Sequence, residues 1–279
     1  MARIVGVHGI GQQLLGPQVL ESEWYPAMSD GVRAATGTPL ASTDLVCAFY
    51  GDLFRGKGKA FGELHFLQQD VVDPEERELL ALLAAAAAGE PDPTAPAEKV
   101  WSPNVVQSAL RVLAKSKFFA GVAEHLVIAD LKQVTAYLHD EKVRTAIRAR
   151  VLDAIADDTR VLVGHSLGSV IAYEVLANNP DLGVRALVTL GSPLGIPNLV
   201  FDRLHPAPDN GVGRWPGSVT AWTNIADAHD LVALVKRLST LFGAGVKDVS
   251  IDNGARAHDA TPYLTAEATG HAIAAGLGP

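Results

Sequence analysis

The feature that most restricts the fold is one join between two kinds of local pattern. Arg160-Val161-Leu162-Val163 is a short run rich in β-branched residues, and it passes without a spacer into Gly164-His165-Ser166-Leu167-Gly168. A helical pattern, Ser169–Ala177, follows at once. An apolar run this short reads as a strand buried on both faces, as in parallel sheets covered by helices. A serine between two glycines at such a join sits on a sharp strand-to-helix turn. A side chain at either glycine would crowd the turn, which lifts the serine hydroxyl clear of the sheet. The serine then lies at a helix N-terminus, where backbone N–H groups face developing negative charge. A plain N-cap would explain the serine but not the two glycines.

Strand-like runs also occur at 3–7, 44–50, 186–190, 219–225 and 246–251. Helical patterns occupy 18–35, 130–156, 231–241 and 262–275. Strands alternating with helices predict an α/β fold, a mostly parallel central sheet with helices on both faces. The 279 residues, 48% of them hydrophobic, suffice for one large domain spanning 1–279. Residues 52–128 interrupt the rhythm. Asp73-Pro74-Glu75-Glu76 combines an N-cap, a first-turn proline and acids at the positive dipole end, and opens a helix that runs to Gly89. A Pro-rich linker, Pro91–Pro96, precedes a second helix start at Ser102-Pro103, and apolar residues recur at helical spacing to Val127. This segment reads as a helical insertion within the domain, packed over the carboxyl ends of the strands as a lid. The Pro- and Gly-rich loop 196–217, with Phe201 and Trp215, is expected to add another wall.

Charge and composition exclude several classes. The net charge of −8 and the lack of a Lys/Arg stripe argue against nucleic acid or an anionic membrane surface as partner. The single cysteine, Cys47, lies in an apolar strand run and reads as a buried core residue; no intrachain disulfide is possible. No apolar stretch reaches the roughly 18 residues of a membrane span, and the first residues lack the pattern of a secretory signal, so a cytoplasmic location is expected. There is no His-Glu-x-x-His, no cysteine pair, no Walker loop and no G-x-G-x-x-G. Neither a metal nor a cofactor is implied.

Gly164-His165-Ser166-Leu167-Gly168 resembles the nucleophile elbow of the α/β-hydrolase superfamily, in particular its lipase and esterase branch. Gly191-Ser192-Pro193 resembles the Gly-Ser-Pro that often follows the next strand, and His8-Gly9 the His-Gly of the oxyanion loop. Thr223-Asn224-Ile225 with Asp230-Leu231-Val232 is similar to the acid-bearing loop, and His258 before Pro262-Tyr263-Leu264 to the histidine segment. The resemblance covers about 1–50 and 158–279 and leaves out the insertion, whose position departs from the commonest cap site of the superfamily.

That fold orders its machinery as serine, acid, histidine along the chain. A serine hydroxyl needs a base within hydrogen-bond reach, and the base needs an orienting carboxylate. Ser166 is thus the candidate nucleophile, Asp230 the acid with Asp227 as its rival, and His258 the base, His271 lying inside an apparent helix. The backbone N–H groups of Ile10 and Leu167 are the candidate oxyanion donors. His8 and Gly9 are placed against substrate, His8 with the competing reading of a structural hydrogen-bonding residue. Ser192 reads as a turn former and His229 as an exposed loop residue. The resemblance implies a small-molecule acyl substrate and hydrolysis of a carboxylic ester. The same residues would also serve a thioesterase, an amidase or peptidase, or an acyltransferase; a non-catalytic binding protein on this fold is the alternative from another class.

Overall fold

A computed structural model describes residues 2–55, 66–90, 93, 103–116 and 124–278. Most of the expected Pro-rich linker and Ser102, the expected cap of the second insertion helix, fall outside the described residues. Six strands form one sheet: β1 (Ile4–Val7), β2 (Leu45–Ala48), β3 (Val161–His165), β4 (Ala186–Leu190), β5 (Ala221–Asp227) and β6 (Val246–Ile251). Their order is β2-β1-β3-β4-β5-β6, and every neighbouring pair is parallel. The chain therefore winds in one direction from β1 to β2 and in the other from β3 onward. The reversal lies between β1 and β3, and sheets of this kind open a crevice at the carboxyl ends beside such a point. In register, Val7 stands opposite Gly164 and His165 opposite Leu190, so the chain leaves β1, β3 and β4 at one level.

Alternation along each strand divides the core into two layers. Val5, Val7, Leu162, Leu187 and Trp222 face one layer; Ile4, Val161, Val163, Ala186 and Val188 face the other. The second layer is closed by α1 (Pro17–Thr36), α8 (Ala260–Thr265) and α9 (Glu267–Leu277). The first is closed by α5 (Glu141–Ala154) and α6 (Leu167–Asn178), with α2 (Pro74–Ala87), α3 (Pro103–Lys115) and α4 (Glu124–His139) packed beyond them. Among the described residues no helix is long and apolar enough to cross a membrane.

Three expected helices take another form; the one at 262–275 is two, α8 and α9, broken at the extended Ala266. The pattern at 130–156 is two helices, because the Asp140 side chain accepts from Lys142 N and Val143 N and starts α5 afresh. The pattern at 231–241 yields only α7 (Ser239–Phe242). Here side chains take the backbone groups a helix ladder would use. Asp248 accepts from Leu238 N and Ser239 N, and the Lys236 carbonyl accepts from Asn224 Nδ2, while the bonds from Val232 N and Ala233 N to Asp230 Oδ1 are those of an N-cap whose helix does not propagate. Such local bonds compete with helix formation. Phe201 and Trp215 do not form a wall of the site cavity; they join Tyr173, Trp222 and Phe242 in an aromatic cluster inside the first layer.

A buried ion pair ties α4 and α5 to α6. Glu174 on α6 and Arg144 on α5 are both shut off from solvent, with Arg144 Nε 3.0 Å from Glu174 Oε2. Tyr137 on α4 donates to Glu174 at 2.6 Å, His205 N donates to it at 2.9 Å, and Arg144 also donates to the Arg203 carbonyl. Burying two charges is favourable only when each is paired and fully hydrogen-bonded, and loss of one partner strands the other. Glu174→Ala is expected to lower the unfolding free energy by about 3–5 kcal/mol in urea denaturation, and the double change Arg144→Met with Glu174→Leu by clearly less. Equal losses would show that the two charges are not coupled.

Candidate active site

Ser166 lies between β3 and α6 with φ 53° and ψ −129°, a left-handed-side conformation rare for a residue with a side chain. Neighbouring packing fixes it there. A Cβ at Gly164 would meet the backbone of Gly168 and Ser169, and one at Gly168 would run into the carbonyl oxygens of Val7 and His8. The helix thus enters close against the end of β1, as the sequence pattern requires. The Ser166 hydroxyl makes no capping bond to its helix.

Instead it meets residues far along the chain. His258 Nε2 is 3.0 Å from Ser166 Oγ, and His258 Nδ1 is 2.8 Å from Asp230 Oδ2. Serine, imidazole and carboxylate form one hydrogen-bonded line. Asp230 is buried and has both oxygens engaged: Oδ1 holds the turn at Val232 and Ala233, and Oδ2 also accepts from the Tyr263 hydroxyl at 2.8 Å. Burial alone would push its carboxyl up. The charge of His258 and the hydrogen bonds from His258, Val232 and Tyr263 outweigh that and hold it at about 2. Asp227 does other work: it is fully buried, accepts from His229 N at 2.6 Å and from Asn253 N, and so braces the ends of β5 and β6. His271 lies exposed on α9 beside Glu267, and His229 is exposed. Ser192 is buried and accepts from Ser169 Oγ at 2.6 Å.

The loop after β1 closes over the serine. A Cβ on Gly9 would lie 2.8 Å from the Ser166 Cβ, so any larger residue there would displace the hydroxyl. Ile10 and Leu167 both line the cavity around Ser166. Leu167 opens α6, where the first N–H groups have no partner within the helix. His8 also borders the cavity, but its ring is committed to the fold: it stacks on Tyr50 at 3.9 Å, pairs Nδ1 with the Gly9 carbonyl at 2.6 Å and accepts from Tyr50 N at 3.1 Å. Burial lowers its pKa to about 4, so the ring is neutral.

Two residues of the site carried no role in the sequence reading. His165, inside the glycine-flanked motif, pairs Nε2 with the His258 carbonyl at 2.9 Å, and burial together with the charge of His258 lowers it to about 3. Tyr263 bridges the two acids, donating to Asp230 and accepting from Asp227 N at 2.8 Å. Both contacts span long stretches of chain, and no local pattern announces them.

The cavity has a volume of about 390 Å³. Most of its wall is apolar: Leu79 and Leu83 from α2, Val127, Leu131 and Val134 from α4, and Ile196, Val200 and Val232 from the loops after β4 and β5; Asp130 on α4 and Gln12, Glu23, Asp259 and Thr261 add polar groups. Among the described residues no group of three or more His, Cys, Asp or Glu is placed to hold a metal ion. Neither a scan against protein-family models nor a search of curated proteins found a match for this chain.

Asp230 gives a pH test. Its folded-state pKa lies below the ordinary value near 3.8, so the stability it contributes is full above that value and is lost as pH falls toward 2. A shift of that size corresponds to about 2 kcal/mol. The stability gap between the wild type and Asp230→Asn, read from urea midpoints, is expected to shrink by that amount between pH 5 and pH 2. A constant gap would mean that the neighbours do not favour the charged form.

Proposed function

We propose that this chain is a serine hydrolase of the α/β-hydrolase superfamily, lipase- or esterase-like, that cleaves a carboxylic ester through an acyl-enzyme on Ser166. The observation that carries this reading is the line from Ser166 Oγ to His258 Nε2 at 3.0 Å and from His258 Nδ1 to Asp230 at 2.8 Å. An unassisted serine hydroxyl is a poor nucleophile at neutral pH, and an imidazole in contact with it, held by an ionised carboxylate, is the arrangement that corrects this.

In the proposed reaction His258 accepts the Ser166 proton as the oxygen attacks the ester carbonyl. Asp230 keeps the proton-bearing Nδ1 toward itself and stabilises the imidazolium. The N–H groups of Ile10 and Leu167 receive the developing oxyanion, each worth about 3 kcal/mol in the transition state. His258 then protonates the departing alkoxide, which leaves as the alcohol. Water, deprotonated by the same histidine, attacks the acyl-enzyme, and the acid departs as the proton returns to Ser166. The apolar walls supply a place for an acyl chain, and the insertion 52–128 serves as a lid whose α2, together with the adjoining α4, faces the nucleophile.

Ser166→Ala is expected to abolish labelling by a fluorophosphonate probe and to lower kcat for p-nitrophenyl esters by about 10⁴-fold or more. Asp230→Ala should reduce turnover far more than Asp227→Ala, since only Asp230 touches the imidazole. Wild-type rates from Ser166→Ala would overturn the reading, and a greater loss at Asp227 would reassign the acid.

A further inference from the structure

Asp130 is a carboxylate set in an apolar wall. On α4 it belongs to the stripe Val127, Asp130, Leu131, Val134, which turns one helix face into the cavity. The other polar residues of this stretch are occupied. Lys132 pairs with Glu76 at 3.0 Å and donates to the Asp70 carbonyl, while Gln133 donates to Gln13 at 3.2 Å. Among the described residues none hydrogen-bonds or ion-pairs with the Asp130 carboxyl. It faces the loop that covers the nucleophile: a Cβ built on Gly11 would lie 3.7 Å from Asp130 Oδ1, and Gly9 in the same loop abuts Ser166.

Asp130 is half-buried, so its carboxylate gives up part of its hydration to the cavity walls, which costs stability unless something compensates it. Burial pushes Asp130 up to about 7, with the charge of His258 pulling the other way, as expected of an acid that the protein itself does not satisfy. A leucine would complete the stripe at no such cost. Strongly perturbed, unsatisfied groups in a cavity mark sites of ligand contact.

We propose that Asp130 is the specificity-determining residue of this cavity, its carboxylate accepting a hydrogen bond from a hydroxyl or ammonium group on an otherwise apolar substrate. This rests on the serine-hydrolase reading above. The donor group lies on the α4 side of the cavity, and the apolar remainder contacts Leu79, Leu83 and Leu131. A plain alkyl ester leaves the carboxylate unpaired and is the poorer substrate.

The test compares p-nitrophenyl butanoate, hexanoate and octanoate with their ω-hydroxy and ω-amino derivatives, on the wild type, Asp130→Asn and Asp130→Leu. At the best chain length the wild type should favour a donor-bearing ester over the plain one by about tenfold or more in kcat/KM. Asp130→Leu should lose or invert that ratio while unfolding at a higher urea concentration than the wild type. Asp130→Asn separates the two donors: a hydroxyl preference survives it, because the amide oxygen still accepts, whereas an ammonium preference does not. Ratios unchanged in Asp130→Leu, or a wild type with no donor preference at any length, would overturn the inference. A second arm needs no turnover. Hexylamine and hexanol are titrated calorimetrically into Ser166→Ala with and without Asp130→Leu. Asp130-dependent binding of either one, even if no ester were hydrolysed, would leave this inference standing while the hydrolase reading fell. Absence of such binding would overturn the inference itself.

Discussion

The site depends on the backbone of Ser166 being held where a side-chain-bearing residue seldom goes. A positive φ at a non-glycine residue costs on the order of 1–3 kcal/mol and persists only where the surroundings over-determine it. Here they do. The Ser166 amide donates to the Leu190 carbonyl, its own carbonyl accepts from Ser169, and α6 is seated so close to the end of β1 that only a glycine fits at 168. The strain is held by the two core layers that clamp β3, and the return is a hydroxyl that stands free of its own helix. Placement at the β1/β3 reversal matters as much. The connections from β1 and β3 lead to helices in opposite layers, α1 and α6, and the cavity at Ser166 lies at this reversal.

Charge is graded around that hydroxyl. His8 and His165 border the same cavity as Ser166, but burial keeps both neutral, and their ring nitrogens hold backbone: His8 the Gly9 and Tyr50 segments, His165 the His258 carbonyl. Asp230 is kept ionised in a buried position only because several donors converge on it. The segment 230–238 shows what that requires. The amides of Val232 and Ala233 donate to Asp230 Oδ1 as at a helix N-cap and leave Oδ2 for His258 and Tyr263. One carboxylate serves as both turn anchor and imidazole partner, which couples the position of His258 to the shape of the loop.

This division explains what the sequence made legible. The six strands were readable because an apolar run buried on both faces needs no partner information, and Ser166, Asp230 and His258 because each ends or follows such a run in a fixed order. The missing helix at 231–241 was not readable: its apolar spacing is helical, and only the through-space claims of Asn224 and Asp248 on its backbone override it. Tyr263 and His165 were hidden for the same reason, since their bonds join residues remote in sequence. Phe201 and Trp215 misled because exposed-looking loop residues bounded by Pro and Gly were in fact part of an aromatic core. Asp130 did leave a trace, an acid at an apolar position of the stripe 127-130-131-134, two residues past the boundary drawn for the insertion.

The α2 and α4 helices are therefore better understood as parts of the pocket than as ornaments on the fold. The sheet and its loops supply Ser166, His258, Asp230 and the amides, the groups that the proposed reaction directs at an acyl carbon whatever is attached to it. None of these distinguishes one chain from another. The walls that can do so come from α2 and α4, and the Tyr137–Glu174–Arg144 network fixes α4 to α6, the helix that begins at the nucleophile. Reactive groups and selecting groups are thus carried by different stretches of sequence but share one rigid joint. Changes on the α4 face can alter what enters without disturbing the line from Ser166 to Asp230, provided the joint at Glu174 is left intact.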